Sequence, residues 1–354
     1  MMNPWKRFSC FFGGMTIAGL LLLALLVFLV DPFYHYHMPW FGLKPYAYDE
    51  IYQNPGLAAH DTYNAIIIGS SMSENFSTEW FDEAYGVDTL KLTYAGATLE
   101  NLRIAVELAQ ENSKEQIKYV FGNLDVFILL SHTYEQPKHP LPEYLYDSHV
   151  CNDVKYLLNK DVLFDDLTLL LKVNKSGHVP SLAQAYSWYG EAQNAFSKEN
   201  ALKNCSITGV FEEVMQKEET VEEHTIRIVE RIKKLVTQYP NTTFQFYYSP
   251  FCISYWYGRY AEGKFLSDVK ALEYSMEELL ECENVELFFP TNYEIITDFD
   301  SYKDSQHYDL DIQYQIFEEM RDGTNHLTQE NYKEYIENFK KMVLESDFEE
   351  LFMS

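Results

Sequence analysis

The chain has 354 residues, of which 47% are hydrophobic and 23% are charged. This composition is typical of a globular protein and excludes a disordered one. The formal net charge is −27, which would repel a phosphate backbone, so we expect no nucleic-acid partner. The length suits one large domain or two smaller ones.

The N-terminal segment predicts a membrane anchor. Residues 11–30 carry no charge and are numerous enough to cross the hydrocarbon core as a helix. Lys6 and Arg7 precede this run, so the positive-inside rule places the N-terminus in the cytoplasm and the rest of the chain outside. A cleaved signal peptide is the alternative, but no small-x-small cleavage site follows the run. We therefore expect a single-pass protein of the cell membrane, with residues 1–30 as cytoplasmic tip and anchor.

The cysteines after the anchor are even in number, which permits disulfides in an oxidising compartment. Their spacing does not resemble that of a zinc site. Cys151 and Cys205 share one region of the chain and are the favoured pair, while free buried thiols are the alternative. The four residues are Cys151, Cys205, Cys252 and Cys282.

The elements that follow the anchor begin irregularly and then alternate. Residues 31–62 are rich in Tyr, Pro and His, and we predict an irregular extracytoplasmic lead-in. Short apolar runs predict strands at residues 65–68, 89–93 and 117–121. Between the second and third strands, apolar residues at helical spacing predict a helix over residues 99–111, with Thr98 as its N-cap.

Residues 131–220 interrupt this order. They hold several prolines, two cysteines and patches of helical pattern, such as residues 166–173, so we interpret them as a mainly helical insertion. The alternation then returns, which predicts the α/β class with a mostly parallel sheet in a domain over residues 63–346. The later predicted elements are helices at 222–238 and 266–282, strands at 243–248 and 285–289, and closing helices at 312–321 and 329–344.

Three strand ends carry candidate functional residues, because such sheets bind their ligands beyond the carboxyl ends of the strands. Ser71 follows the first strand as a candidate nucleophile, and its N–H could face a developing oxyanion. Gly96 follows the second strand and Asn123 the third, where a backbone or side-chain N–H would add further donors. Taken alone, Ser70, Ser71 and Ser73 could equally cap the next helix, and the other two are ordinary turn residues.

A candidate general base lies near the C-terminus. Asp304 precedes His307 by three residues, a spacing that can hold a carboxylate against the imidazole and orient the ring toward a serine. Asp322 and His326 form a second pair, but it lies between two predicted helices, where Gly323 is typical of a helix C-cap. The first pair is therefore the better candidate.

No metal or cofactor site is predicted from the sequence. His35 and His37 lie close to the anchor and have no cysteine or carboxylate cluster around them. Aromatic-rich stretches of this kind are typical of the membrane interface.

The order of these residues along the chain resembles the SGNH (GDSL-like) hydrolase superfamily, whose blocks carry Ser, Gly, Asn and His in the same order. The resemblance covers roughly residues 60–130 and 240–345 and leaves out the insertion. The matching positions are Gly69-Ser70-Ser71, Gly96, Gly122 to Asp125, Asp304 and His307.

The chain departs from the family pattern at two positions. Ser70 stands where the family has Asp, as in the D-alanyl transfer proteins of the teichoic acid pathway, which this chain also resembles in its N-terminal anchor. Leu124 holds the family's Asn position, and Asn123 is shifted by one.

The resemblance implies a three-layer α/β/α domain of the flavodoxin-like type and an extracytoplasmic serine esterase or O-acyltransferase that works through an acyl-serine. Ser71, Asp304 and His307 would form the catalytic triad. The N–H groups of Ser71 and Gly96, with the side chain of Asn123, would form the oxyanion hole. Anchoring outside the membrane favours a cell-envelope polymer or glycan as substrate and a membrane acyltransferase as partner. The alternative is an SGNH fold without activity that serves as an envelope binding or assembly protein.

Overall fold

The computed structural model describes residues 3–203 and 220–353 and divides the chain into two units. We call them the anchor unit, which comprises Met1–Asp61 and Pro140–Ala185, and the sheet unit, which comprises Thr62–His139 and Tyr186–Ser354. The predicted insertion over residues 131–220 therefore contributes to both units. Residues 204–219 of that insertion lie outside the described part of the chain.

The sheet unit is built on a six-stranded, mostly parallel sheet, which confirms the predicted α/β class. The strand order is β2-β1-β3-β4-β5-β6, and only the pairing of β5 with β6 is antiparallel. The strands are β1 (Ala65–Ile68), β2 (Thr89–Lys91), β3 (Tyr119–Asn123), β4 (Thr243–Tyr247), β5 (Val285–Phe288) and β6 (His326–Leu327).

The apolar runs form strands because both faces of the sheet are covered. All four residues of β1 are at most 1% exposed, as expected for a strand inside a parallel sheet. The strands differ from the sequence-based prediction in several details. β2 ends two residues earlier than predicted, and β4 and β5 each end one residue earlier. β3 begins two residues later than predicted and runs on to Asn123, and the two-residue edge strand β6 was not predicted, since so short a strand carries no periodic signal.

The helices of the sheet unit include all those predicted for residues outside the insertion, with shifts at their ends. Thr98 is the N-cap of helix Leu99–Asn112, as predicted, and Gly323 ends helix Leu310–Asp322 in the left-handed conformation. The described helices of this unit are Thr78–Tyr85, Leu99–Asn112, Val126–Leu129, Tyr189–Ala192, Lys198–Leu202, Glu223–Gln238, Ile253–Ala261, Phe265–Leu279, Tyr293–Thr297, Leu310–Asp322, Tyr332–Leu344 and Phe348–Met353, with a 3₁₀ turn at Phe299–Ser301.

The anchor unit begins with helix Pro4–Val30, which is long and apolar enough to span a membrane. Its last turn is packed: Val27 and Val30 are buried in an apolar cluster with residues such as Phe33 and Tyr156. The other described helices of this unit are Glu50–His60, Glu143–Tyr146, Val154–Leu157 and Leu167–Ser176, with 3₁₀ turns at Val150–Asn152 and Leu182–Gln184 and a π-helical turn at Val162–Asp166.

A buried carboxylate fixes the end of the N-terminal helix. Asp31 is 0% exposed and caps the helix in the left-handed conformation. Its carboxylate accepts hydrogen bonds from the backbone N–H groups of His35, Tyr36 and His37 at 2.6–3.0 Å, and from the hydroxyl of Tyr156 at 2.7 Å. The chain therefore leaves the helix through a turn that one side chain holds together.

The prediction of an irregular lead-in over residues 31–62 is wrong for its second half. Residues 50–60 form a helix, and Asp49 caps it through its carboxylate. Pro55 lies inside this helix, and because proline is unfavourable in a helix interior, the sequence did not indicate a helix here. A Cβ at Gly56 would lie 2.2 Å from the carbonyl oxygen of Phe33, so the glycine permits the close approach of the two backbone segments.

The predicted disulfide between Cys151 and Cys205 is not tested by the described residues. Cys205 lies outside the described residues, so the favoured pairing of Cys151 with Cys205 stays a prediction. Within the described part of the chain, Cys151 is an exposed thiol, and Cys252 and Cys282 are buried free thiols.

Candidate active site

The strand order reverses between β1 and β3, and the candidate residues lie at this point of the sheet. β1 has β2 on one side and β3 on the other, so the segments that follow β1 and β3 leave the same edge in opposite directions. Ligands of open parallel sheets bind in the crevice that such a reversal opens. Ser71 follows β1, and Asp125 follows β3.

The structure brings Ser71, His307 and Asp304 together. Ser71 Oγ lies 2.8 Å from His307 Nε2, although 236 residues separate the two. On the other side of the ring, His307 Nδ1 lies 2.8 Å from Asp304 Oδ2. The geometric part of the sequence-based prediction is therefore met.

The alternative pair lies elsewhere. Asp322 pairs with the neighbouring Arg321 at 2.7 Å. His326 lies on β6 and contacts the ring of Phe288. Neither residue lines the pocket at Ser71.

A tight hairpin holds Asp304 and His307. Tyr302 pairs with Tyr308 across the loop, and the N–H of Lys303 donates to the carbonyl of His307 at 3.0 Å. The buried hydroxyl of Tyr302 donates to the carbonyl of Pro250 at 2.6 Å, which fastens the hairpin just beyond the end of β4. The two catalytic candidates are thus placed by a short loop that is braced at its base.

The hydrogen bonds of Asp304 decide which ring nitrogen of His307 faces the carboxylate as a donor. Burial alone would raise the pKa of the Asp304 carboxyl, but the contact with His307 and the backbone N–H groups of Gln306 and His307 outweigh it and hold the pKa below its usual value. An ionised carboxylate can only accept hydrogen bonds, so Nδ1 carries a proton. In the neutral ring, the lone pair of Nε2 then faces the hydroxyl of Ser71, which is the arrangement that a general base requires.

The loop that presents Ser71 is fastened to β3 by an amide. Asn123 Oδ1 accepts hydrogen bonds from the N–H of Ser70 at 3.0 Å and from Ser73 Oγ at 2.7 Å. Gly69 permits this contact: it adopts φ +132°, and a Cβ there would lie 2.0 Å from Asn123 Oδ1. Residues 71–75 form turns, and the next helix begins only at Thr78 with Ser77 as its N-cap. The reading of Ser70, Ser71 and Ser73 as helix caps is therefore wrong.

Asn123 does not act as the expected oxyanion donor in this arrangement. Its side chain is 0% exposed, and its amide N–H₂ group donates to Ser70 Oγ and to Asp125 Oδ2. Both amide hydrogens are therefore engaged, and Asn123 is absent from the lining of the pocket. Asn123 therefore lies beneath the loop that presents Ser71 and holds it in place.

Ser71 and Gly96 border the same pocket, as predicted for two residues of an oxyanion hole. Gly96 adopts φ +64°, a conformation that side chains rarely tolerate. The stem of Lys138 lies against it, with Cε 3.5 Å from the position of a Cβ. The loop that carries Lys138 is fastened to the start of helix Leu99–Asn112, because the N–H of Lys138 donates to Asn101 Oδ1 at 2.9 Å.

The pocket has a volume of about 580 Å³ and combines the triad with an apolar wall. This volume lies within the range of small-molecule sites. Phe127 is 44% exposed and packs at a tilt of 44° against Phe251, with ring centroids 5.4 Å apart. The lining residues are Ser70, Ser71, Met72, Gly96, Ala97, Thr98, Asp125, Phe127, Ile128, Ser131, Thr133, Lys138, Phe251, Gln306 and His307.

A second buried carboxyl lies at the floor of the pocket. Asp125 is 3% exposed, and its Oδ2 accepts a hydrogen bond from Ser70 Oγ at 2.8 Å. Burial raises the pKa of Asp125, against the opposing effect of hydrogen bonds from Ser70 and Asn123. Ser70 therefore contacts an acidic side chain that the segment after β3 supplies.

Trp188 contacts two members of the candidate triad, Ser71 and His307. The sequence analysis did not single it out. Its indole N–H donates to the backbone carbonyl of Ser71 at 2.9 Å. Its ring meets the imidazole of His307 edge to face, at 5.4 Å and 89°. The ammonium of Lys303 lies 3.5 Å from the centroid of the indole, a cation–π contact. Trp188 belongs to the predicted insertion, where no sequence pattern indicated that a tryptophan would lie beside Ser71.

A buried lysine supports the nucleophile loop from β2. Lys91 is 1% exposed, and its ammonium donates to the carbonyl of Glu74 at 2.7 Å. Burial lowers the pKa of Lys91 to about 7, with the charge of Glu74 opposing the shift. A lysine that titrates this low is typical of a fully desolvated amine.

Comparison of the chain with family models, with curated proteins and with solved structures gave no match in any of the three.

We expect Trp188→Phe to slow the reaction of Ser71 with a serine-directed fluorophosphonate about fivefold, because one hydrogen bond of about 1 kcal/mol is lost. Phenylalanine keeps an aromatic ring beside His307 and removes only the indole N–H. The maximal labelling rate should fall while the concentration for half-maximal rate stays the same. Trp80→Phe is the matched control, since Trp80 packs on Tyr314 and Phe317. Equal rates for both variants and the wild type would contradict the positioning role.

Lys91→Met should stabilise the chain most at acidic pH. Below pH 7 the wild type carries a buried ammonium. Between pH 7 and the ordinary lysine value of about 10.4, the unfolded state holds a proton that the folded state has lost, so wild-type stability rises with pH in this window. The difference in unfolding temperature between Lys91→Met and the wild type should therefore shrink from pH 6 to pH 10. Lys118→Met, at an exposed position, controls for the loss of a lysine. A difference that grows with pH would contradict the assignment.

Proposed function

We propose that this chain is an SGNH-type serine esterase or O-acyltransferase, anchored in the cell membrane with its sheet unit outside the cytoplasm. The observation that carries the proposal is the continuous hydrogen-bond path from Ser71 Oγ through His307 to Asp304, with both distances at 2.8 Å. Helix capping and turn chemistry do not require residues so distant in sequence to meet. The strand order 2-1-3-4-5 and the site at its reversal agree with the three-layer arrangement of that superfamily.

The mechanism follows from the protonation of the site. His307 Nε2 accepts the proton of Ser71 as Oγ attacks the carbonyl carbon of an ester, and Asp304 stabilises the imidazolium that forms. The oxyanion develops beside the N–H groups of Ser71 and Gly96, which remain as its donors once Asn123 is assigned to the loop beneath. His307 then returns the proton to the leaving alcohol, and an acyl-serine results.

The second half-reaction decides between the two activities. Water as acceptor releases a carboxylic acid, and the chain is an esterase. A sugar or polyol hydroxyl as acceptor gives an O-acyltransferase. The extracytoplasmic location of the proposal favours a cell-envelope polymer or glycan as substrate, and a membrane acyltransferase that supplies the acyl group as partner.

Replacing Ser71 by Ala should abolish fluorophosphonate labelling and hydrolysis of a model ester, and His307→Ala should lower the hydrolysis rate by roughly 10⁴-fold, because triad members act as a unit. Mass spectrometry of the labelled wild type should locate the probe on Ser71. His326→Ala is the matched control and should keep the wild-type rate. The unfolding temperatures should stay close to that of the wild type, since a half-buried hydroxyl contributes little to stability.

The outcomes separate this proposal from the alternative function. Full activity of the Ser71 variant would refute the triad. A folded wild type that neither reacts with the probe nor cleaves esters would favour an inactive SGNH fold used for binding or assembly.

The proposed topology is testable with the cysteines of the chain. Cys151 is exposed, whereas Cys252 and Cys282 are buried. Cys10 is exposed as well. In a background with Cys10→Ser and Cys205→Ser, a membrane-impermeant maleimide added to intact cells should label the chain, and the label should disappear when Cys151 is also replaced by Ser. Labelling that requires permeabilised cells would place the chain on the cytoplasmic side.

A further inference from the structure

Three ligand-type side chains outside the active site converge in the sheet unit. His132 follows the short helix Val126–Leu129, while Glu222 and His224 lie at the start of helix Glu223–Gln238. One side-chain donor atom from each of the three residues lies within 4.8 Å of the other two. A pocket of about 150 Å³ contains all three.

The geometry of the cluster is close to that of a zinc site. Zinc binds imidazole nitrogen and carboxylate oxygen at about 2.0–2.2 Å in a tetrahedral arrangement, which separates neighbouring ligand atoms by about 3.3 Å. His224 Nδ1 and Glu222 Oε2 are already 3.2 Å apart. The two imidazole rings are 4.2 Å apart at 45°. The third ligand, His132, is exposed, so it can close the remaining distance without disturbing packed residues.

The two cations of this pocket are neutralised by their own partners. Arg259 pairs with Asp268, and also with Glu262 at 3.0 Å. Lys264 pairs with the same Glu262 at 2.8 Å. Within residues 3–203 and 220–353, neither cation forms a salt bridge with Glu222, so the Glu222 carboxylate stays available to a divalent ion.

We propose that His132, Glu222 and His224 form a zinc-binding site with one open coordination position. The preference for zinc over Mg²⁺ or Ca²⁺ follows from the two imidazole ligands. A bound ion would cross-link the segment after helix Val126–Leu129 to the first turn of helix Glu223–Gln238. Ser131 and Thr133, which flank His132, both line the pocket at Ser71, so the ion would stiffen one wall of that pocket. This site does not depend on the proposed function.

The test is calorimetric titration of Zn²⁺ into the full chain in detergent, with excess Mg²⁺ to occupy the acidic surface. We expect one site per chain, and His132→Ala should weaken it at least tenfold, about the lower limit for loss of even an outer partner of a metal site. Glu222→Gln should weaken it as well. His178→Ala, at an exposed histidine of the anchor unit, is the matched control and should bind as the wild type does.

A second readout reports the ligand geometry. Co²⁺ in a tetrahedral site of nitrogen and oxygen ligands gives intense visible absorption, which His132→Ala should remove. Absence of zinc binding in the presence of Mg²⁺ would overturn the proposal. Zinc binding that His132→Ala leaves unchanged, or that Glu222→Gln leaves unchanged, would overturn the assigned ligand set.

Discussion

The contact between the Asn123 carboxamide and the loop after β1 determines how the site is built. One amide oxygen accepts from the backbone of Ser70 and from the hydroxyl of Ser73, so the turn that carries Ser71 is fixed to the end of the neighbouring strand. The contact requires a residue without Cβ at position 69. Because buried amides are costly to leave unpaired, these bonds hold the turn in one conformation. Ser71 then points away from the sheet, where His307 meets it.

The parts of the site that follow strand ends were predictable, and the parts that depend on side-chain direction were not. Parallel strands deliver their carboxyl ends to one edge, so the order Ser71, Gly96 and then the Asp304–His307 loop could be placed together from sequence. The same rule could not decide which way Asn123 points, because a one-residue shift along a strand reverses the face. Trp188 lies in an insertion without periodic signal, and only the folded chain brings it to Ser71.

Each element that was not predicted from the sequence has a physical explanation. Helix Glu50–His60 contains Pro55 and Gly56, which both lower helix propensity, and tertiary packing of its buried residues overrides that preference. The two-residue strand β6 is too short for alternation to be visible. The long amphipathic helices and the buried strands were predicted with small shifts at their ends, since their hydrophobic spacing is repeated over several turns or residues.

Three buried charged residues surround the loop that presents Ser71, and others, such as Asp31 and Asp268, are buried elsewhere. Lys91, Glu74 and Asp125 are all at most 5% exposed. Burying such groups lowers stability, and proteins retain them where the local field serves a site. The folded chain therefore gives up stability around Ser71, and the apolar core of the sheet compensates for it.

The Asp31 turn has a mechanical consequence for the anchor unit. A flexible linker after a transmembrane helix lets the attached domain tumble, so its orientation to the bilayer averages out. Here the last turn of helix Pro4–Val30 is packed, and a buried carboxylate closes the first turn after it. The helix and the rest of the anchor unit therefore tilt together. In the membrane-anchored protein that we propose, an anchor unit joined so stiffly to its helix would keep one face toward the lipid surface. It would meet partners by lateral diffusion and by rotation about the membrane normal, so its encounters would take place in two dimensions.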